Sequence, residues 1–173
     1  MYALEQFELT DRCIASLFVN PYNKDKCKQV LKINDQEFEK FVTKFQGSPD
    51  KIAVPEQDSI HYGGIPYDAT LFSTKFRVVS ETHIDHNPAW ITEKTWITIL
   101  NKQPFLIAGD HNSCKKLQDM GFKTFDQFLI KPYDHILDWT QRQAAIIANV
   151  KYWLETDLDM AAEVEHNYQH LLQ

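Results

Sequence analysis

Apolar residues in this chain are grouped into short runs and helical faces, separated by polar, proline- and glycine-marked breaks. Cys13 to Val19 is a compact apolar run stopped by Asn20-Pro21, and it predicts a buried strand. Lys24 to Leu31 predicts a short basic helix. Asn34-Asp35-Gln36-Glu37 predicts a helix start, its acidic first turn preceding Phe38, Phe41 and Phe45 on one face. Gly47-Ser48-Pro49-Asp50 ends that helix, and Lys51 to Thr70, rich in Pro, Gly, Asp and Tyr, predicts a long surface loop. Loops of that length are uncommon unless they have a function.

Regular patterning returns at Phe76-Arg77-Val78-Val79-Ser80, whose β-branched residues predict a strand. A loop over Glu81 to Ala89 leads to a helix over Thr92 to Asn101. There Thr92 can cap, Glu93 and Lys94 fill the first turn, and Trp96, Ile97 and Leu100 supply the apolar face. Gln103-Pro104 breaks this helix, and Phe105 to Ala108 predicts a second strand ending at Gly109-Asp110. Strand, loop, helix and strand in this order make the building block of a parallel α/β sheet. Ser113 to Met120 predicts a short helix closed by Gly121, and Phe122-Lys123-Thr124-Phe125 reads as a brief strand or a packed loop. From Tyr133 on the pattern is helical and largely polar, with Ile136, Trp139, Ala144, Ile147, Val150, Tyr152, Trp153 and Leu154 as core candidates.

The expected fold is therefore α/β: a single Rossmann-like domain with a short parallel sheet flanked by helices, and a helical C-terminal tail. Its expected divisions are a lead-in segment over 1–11, the α/β domain over 12–142 and a helical extension over 143–173. A chain of 173 residues, 43% hydrophobic and 24% charged, can bury a sizeable core. A formal net charge of −6 argues against a general nucleic-acid or membrane-surface binder. Cys13, Cys27 and Cys114 are odd in number and have no metal-ligand spacing, so reduced thiols are expected. The N-terminus lacks the basic-then-apolar order of a signal peptide, and no apolar stretch is long enough to cross a bilayer. The expected location is cytoplasmic.

Candidate chemistry concentrates between Val78 and Asp110. Glu81 is placed at the carboxyl end of one strand, and Thr92-Glu93-Lys94 in the first turn of the next helix. Ligands of parallel α/β sheets collect at that edge, and helix N-termini favour phosphate. Glu93 can accept hydrogen bonds from two adjacent ribose hydroxyls, and Lys94 can neutralise a pyrophosphate as a flexible point charge. Together they suit a nucleoside diphosphate, the leaving group of an activated sugar.

The order strand-Glu81, spacer, Thr92-Glu93-Lys94, helix, Pro104-strand-Gly109 resembles the donor-binding half of α-1,3-fucosyltransferases and related GT-B-type glycosyltransferases. The resemblance covers about residues 76 to 142, including Gly121-Phe122-Lys123-Thr124-Phe125, Tyr133-Asp134 and Arg142. It implies a ribose-binding role for Glu93, phosphate contact for Lys94 and support of the donor by Glu81. There are two departures. Thr82 follows Glu81 where the family has Asn. Upstream, Lys24, Lys26 and Lys28 stand where the family offers an arginine, and lysine binds phosphate without a bidentate fork. The family has two such domains, and this chain has room for one, so an acceptor half would come from a second domain or subunit.

The expected activity is metal-independent glycosyl transfer from a nucleotide sugar to an unknown acceptor. Glu81 would support the reacting sugar, and Glu93, Lys94, Thr92, His83 and Lys26 would surround the nucleotide. No metal and no further cofactor are expected, because lysine and a helix N-terminus can carry the departing diphosphate. The alternative is a noncatalytic or degenerate nucleotide-sugar-binding module within a larger assembly; an unrelated nucleotide-binding α/β domain stands third. The blander readings make Thr92-Glu93-Lys94 an ordinary helix start, Glu81 a local cap, and His83-Ile84-Asp85-His86 with Asp110-His111 polar loop residues rather than a metal set. Asp157-Leu158-Asp159 reads as a solvated face inside a helical tail, and Arg142 as a surface residue. Trp90 reads as core or pocket wall, with stacking on a base as the sharper possibility.

Overall fold

The computed structural model describes residues 34–37, 39–40, 74–81 and 88–173. The chain divides into two compact units, Met1–Pro66 and Tyr67–Gln173. The strand expected over 13–19, the basic helix, the loop over 51–70, Lys26 and His83 all lie outside the described residues.

Within the first unit the chain is helical over 35–37 and 39–40. Asn34 Oδ1 accepts from the Glu37 N–H and Glu37 Oε2 accepts from the Asn34 N–H, both at 2.9 Å. This reciprocal pair is a capping box, in which each side chain satisfies a backbone donor that a helix start leaves unpaired. The helix start expected at Asn34 is therefore present.

The second unit is mixed α/β. Its described elements are β1 (Arg77–Ser80), α1 (Glu93–Leu100), β2 (Phe105–Ala108), α2 (Ser113–Asp119), a 3-10 turn (Asp126–Phe128), α3 (Trp139–Glu155) and α4 (Ala161–Leu171). The two strands pair in parallel, Arg77 opposite Phe105 through Ser80 opposite Ala108. Parallel pairing requires a crossover, and α1 supplies it. Phe105, Leu106 and Ile107 are all buried, as expected of a strand covered on both faces, whereas β1 buries only Val79 fully.

The core forms where α3 packs against β2. Phe125 sits edge-on to Phe105 (centroids 5.1 Å) and to Trp153 (6.1 Å), and Phe76 closes the cluster 5.2 Å from Trp153. Each large apolar side chain fully buried in this way contributes about 1.5–3 kcal/mol. The remaining indole polarity is met by a hydrogen bond from Trp153 Nε1 to the Phe128 carbonyl at 3.0 Å.

Several sequence expectations need correction. In α1 the buried residues are Thr95, Thr98 and Ile99, while Leu100 is exposed. The helix is rotated from the face that hydrophobicity alone selects. Buried threonines are tolerated because Thr98 Oγ1 donates to the Lys94 carbonyl and Thr95 has an acceptor of its own. Arg142, expected on the surface, is almost fully buried. Its Nη1 donates to the carbonyls of Ile136 and Leu137, and its guanidinium lies 5.2 Å from the centre of the Trp139 ring. Asp157-Leu158-Asp159 lies in the linker between α3 and α4 rather than inside a helix, and both aspartates are exposed.

The last helix is held by polar contacts as much as by apolar ones. Asn167 brackets Lys123, its Oδ1 accepting from the Lys123 N–H at 2.7 Å and its Nδ2 donating to the carbonyl at 2.9 Å. His166 and His170 donate through Nε2 to the carbonyls of Gly121 and Met120, which end α2. Gly121 has φ +95°, and a Cβ there would stand 2.6 Å from His170 Nε2, so both backbone and space require glycine. Among the described residues no helix is long and apolar enough to cross a membrane.

Candidate functional site

Chain direction in a parallel pair brings the ends of β1 and β2 to one edge, where Glu81 and Gly109-Asp110 follow the last paired residues. Glu81 N–H donates to the Ala108 carbonyl at 3.0 Å, so its backbone extends the ladder by one bond. The side chain then crosses the end of β2. A Cβ on Gly109 would lie 3.0 Å from Glu81 Cβ and 3.1 Å from its Cγ, which makes glycine the residue that lets the glutamate pass.

Beyond Gly109 the Glu81 carboxylate meets the start of α1. It accepts from the Thr92 N–H at 3.2 Å, from the Thr92 hydroxyl, and from Thr95 Oγ1 at 2.6 Å. Glu81 is 5% exposed, and both of its oxygens are engaged. Thr92 has extended backbone at the N-cap position, as expected, but its hydroxyl does not cap its own helix. The glutamate is the better acceptor and takes that proton, so Glu81 ties the end of β1 to the N-cap residue and to Thr95.

Carboxylates also sit at the starts of the neighbouring helices, where they accept from first-turn amides. Asp134 accepts from Cys114 N at 2.8 Å and Lys115 N at 2.9 Å at the start of α2, and Asp138 accepts from Gln141 N at 2.8 Å at the start of α3. Each of the three helix starts thus holds a carboxylate of the chain itself. The expectation that α1 offers a vacant N-terminus to a phosphate is narrowed accordingly. An α-helix start carries the equivalent of about half a positive charge, and a carboxylate seated on it more than offsets that.

The Glu81 knot fixes the turn that carries Glu93 and Lys94. Glu93 is exposed and Lys94 half-buried, one and two residues beyond Thr92. Trp90 lies two residues before Thr92. Its N–H donates to Asp110 Oδ2 at 3.0 Å, and the preceding carbonyl of Ala89 accepts from Lys116 Nζ at 2.5 Å. The segment entering α1 is therefore tied to β1, β2 and α2 at once. Trp90 is 60% exposed, not the buried core residue that one sequence reading suggested.

Behind the edge, Tyr133 OH accepts from the Ile107 N–H at 2.9 Å and stands 3.5 Å from Cys114 Sγ. Burial pushes the Cys114 thiol well above its ordinary range, with Asp134 adding to the effect. Burial likewise pushes the Tyr133 phenol up, reinforced by Cys114. The thiol is thereby held protonated and unreactive, a packing group rather than a nucleophile.

The structure brings Glu81 and Thr92 into direct contact and sets Glu93 and Lys94 in the turn they hold. His83 and Lys26 lie outside the described residues, as do Asp85 and His86 of the histidine-rich loop. Among the described residues no group of three metal-ligating side chains converges. Sequence reasoning missed Thr95, whose signal was a threonine on the same helical face as Ile99, and the Asp110 contact that pins Trp90. The chain matches no known family model, no curated protein and no solved structure.

Proposed function

We propose that this chain is the nucleotide-sugar-binding half of a glycosyltransferase, with a Rossmann-like site built on the carboxyl edge of β1 and β2. Glu93 accepts the ribose hydroxyls of a nucleoside diphosphate, Lys94 neutralises its phosphates, and the sugar is passed to an acceptor held by a second domain or subunit. The observation that carries this reading is the interlock of Glu81, Thr92, Thr95 and Gly109. The residues at the strand end, the helix start and the second strand end, which define the resemblance to the α-1,3-fucosyltransferase donor half, are physically joined in one unit. That unit orients Glu93 and Lys94.

On this reading Glu81 is a positioning residue, acting on the ligand through Thr92 and the first turn of α1. Lys94 takes the larger electrostatic load, since Glu81 occupies the helix start. The reading uses no metal, no nucleic acid and no membrane. It places the chain in a reducing, cytoplasm-like compartment, in keeping with the free buried Cys114.

A specific observation favours a second reading, a noncatalytic nucleotide-sugar-binding module. Glu81, the carboxylate assigned to the reacting sugar, commits both oxygens to Thr92 and Thr95. Calorimetric titration with GDP, UDP and ADP tests the shared claim. At least one is expected to bind, Lys94→Ala to weaken it on the order of tenfold or more, and Glu93→Ala by less. No binding by a folded sample, or unchanged affinity in both variants, removes the site. Release of sugar from a bound donor by the isolated chain separates enzyme from module.

A further inference from the structure

We propose that Trp90 is the base platform of this site, the residue on which the planar base of a nucleoside diphosphate stacks. The inference rests on the donor-site reading and adds the surface that holds the third part of the ligand, after ribose and phosphates.

Its exposure is the first observation. Of the four tryptophans, Trp153 is buried among Phe76 and Phe125, Trp96 lies 5.5 Å from Phe122, and Trp139 lies under Arg142. Trp90 instead leaves 60% of its surface to solvent. A ring left open in this way has a flat apolar face on which a planar ligand can stack.

The second observation is rigidity. The Trp90 N–H is held by Asp110 Oδ2 at 3.0 Å, and Asp110 is itself 1% exposed; the Ala89 carbonyl just before it is held by Lys116 Nζ at 2.5 Å. Two residues later Thr92 is locked to Glu81. An aromatic ring carried on backbone fixed at both ends loses little freedom when a ligand stacks on it, which is the condition for a useful platform.

The third is position. Trp90 stands at the same sheet edge as Glu81 and Asp110, three residues ahead of Glu93 and four ahead of Lys94. Stacking is tolerant of base identity because every base presents a π face. Trp90 therefore contributes affinity for the nucleoside rather than choice among bases.

The experiment compares wild type, Trp90→Ala and Trp90→Phe in calorimetric titrations with GDP, UDP, ADP and, as a base-free control, inorganic pyrophosphate. Alanine is expected to weaken the best-binding nucleoside diphosphate roughly tenfold, phenylalanine to retain most of the affinity, and pyrophosphate to bind all three proteins alike. Because the ring is exposed, folding is checked by coincident thermal melts. Unchanged nucleotide affinity in Trp90→Ala, while Lys94→Ala still weakens binding, overturns the platform and leaves the donor site standing. An equal loss of pyrophosphate binding also overturns it, since that assigns Trp90 to backbone support. No nucleotide binding by wild type removes both readings together.

Discussion

Glu81 receives three hydrogen-bond donors from two threonines, and the consequence of removing it depends on what is left behind. Glu81→Ala strands the Thr92 N–H and two hydroxyls in a buried place and opens a gap against Gly109. Buried donors without acceptors cost about 1–3 kcal/mol each, although hydroxyls can turn to find other partners. A loss of about 2–4 kcal/mol in denaturant unfolding is expected, whereas Glu81→Gln, which keeps the shape and one carbonyl acceptor, should lose less than half of that. Equal losses in the two variants would show that shape matters here and hydrogen bonding does not. If the chain binds a nucleotide sugar as proposed, the same pair separates two roles: a positioning residue lets glutamine rescue nucleotide affinity, and a group that touches the sugar through its charge does not.

At the scale of elements, α2 and α4 meet through a contact in which each partner is specialised. Gly121 combines a left-handed backbone with a Cβ position blocked by His170 Nε2, and that imidazole is held by the Met120 carbonyl. Gly121→Ala therefore incurs the left-handed penalty of about 1 kcal/mol and must also displace His170 from Met120 and Phe122. The expected result is a loss of about 2–3 kcal/mol, most of it relieved when His170→Ala is added, because the second change removes the obstacle. Strict additivity in the double variant would sever the link.

Elements of this kind were legible in the sequence where a local signal sets them. Gly121 closes α2, Asn34 and Glu37 build a capping box, and the β-branched run at 77–80 makes a strand. The residues that escaped notice are polar ones whose partners lie far along the chain. Asn149 is fully buried because it serves the 130–131 backbone with both ends of its amide, and Asn167 does the same for Lys123. Periodicity counts such residues as surface. The partners of Glu81 were hidden for the same reason, since nothing local says that hydroxyls 11 and 14 positions later will take its carboxylate.

For the whole second unit, the question is what couples the candidate edge to the core, and the answer runs through Tyr133 and Cys114. Tyr133 accepts from the backbone of β2 at Ile107 and touches Cys114 in α2, whose first turn is capped by the adjacent Asp134. Sheet, helix and the loop before α3 share this one buried junction. Both acidic groups in it favour their protonated forms in the folded state, chiefly through burial. Their stabilising contribution is then fully present below the unfolded thiol value near 9.0 and the unfolded phenol value near 10.0. It is lost as pH rises further toward the raised folded values. The melting temperature should hold steady from pH 7 to about 9 and fall above it. Cys114→Ala lowers stability everywhere by leaving a small cavity, but the quantity that decides is the slope: its melting temperature should decline less steeply with pH than wild type in the alkaline range. Tyr133→Phe should flatten the curve in the same way, at the expense of the Ile107 N–H. If both variants keep the wild-type slope, alkaline unfolding begins elsewhere, and this junction does not control the stability of the unit that carries the site.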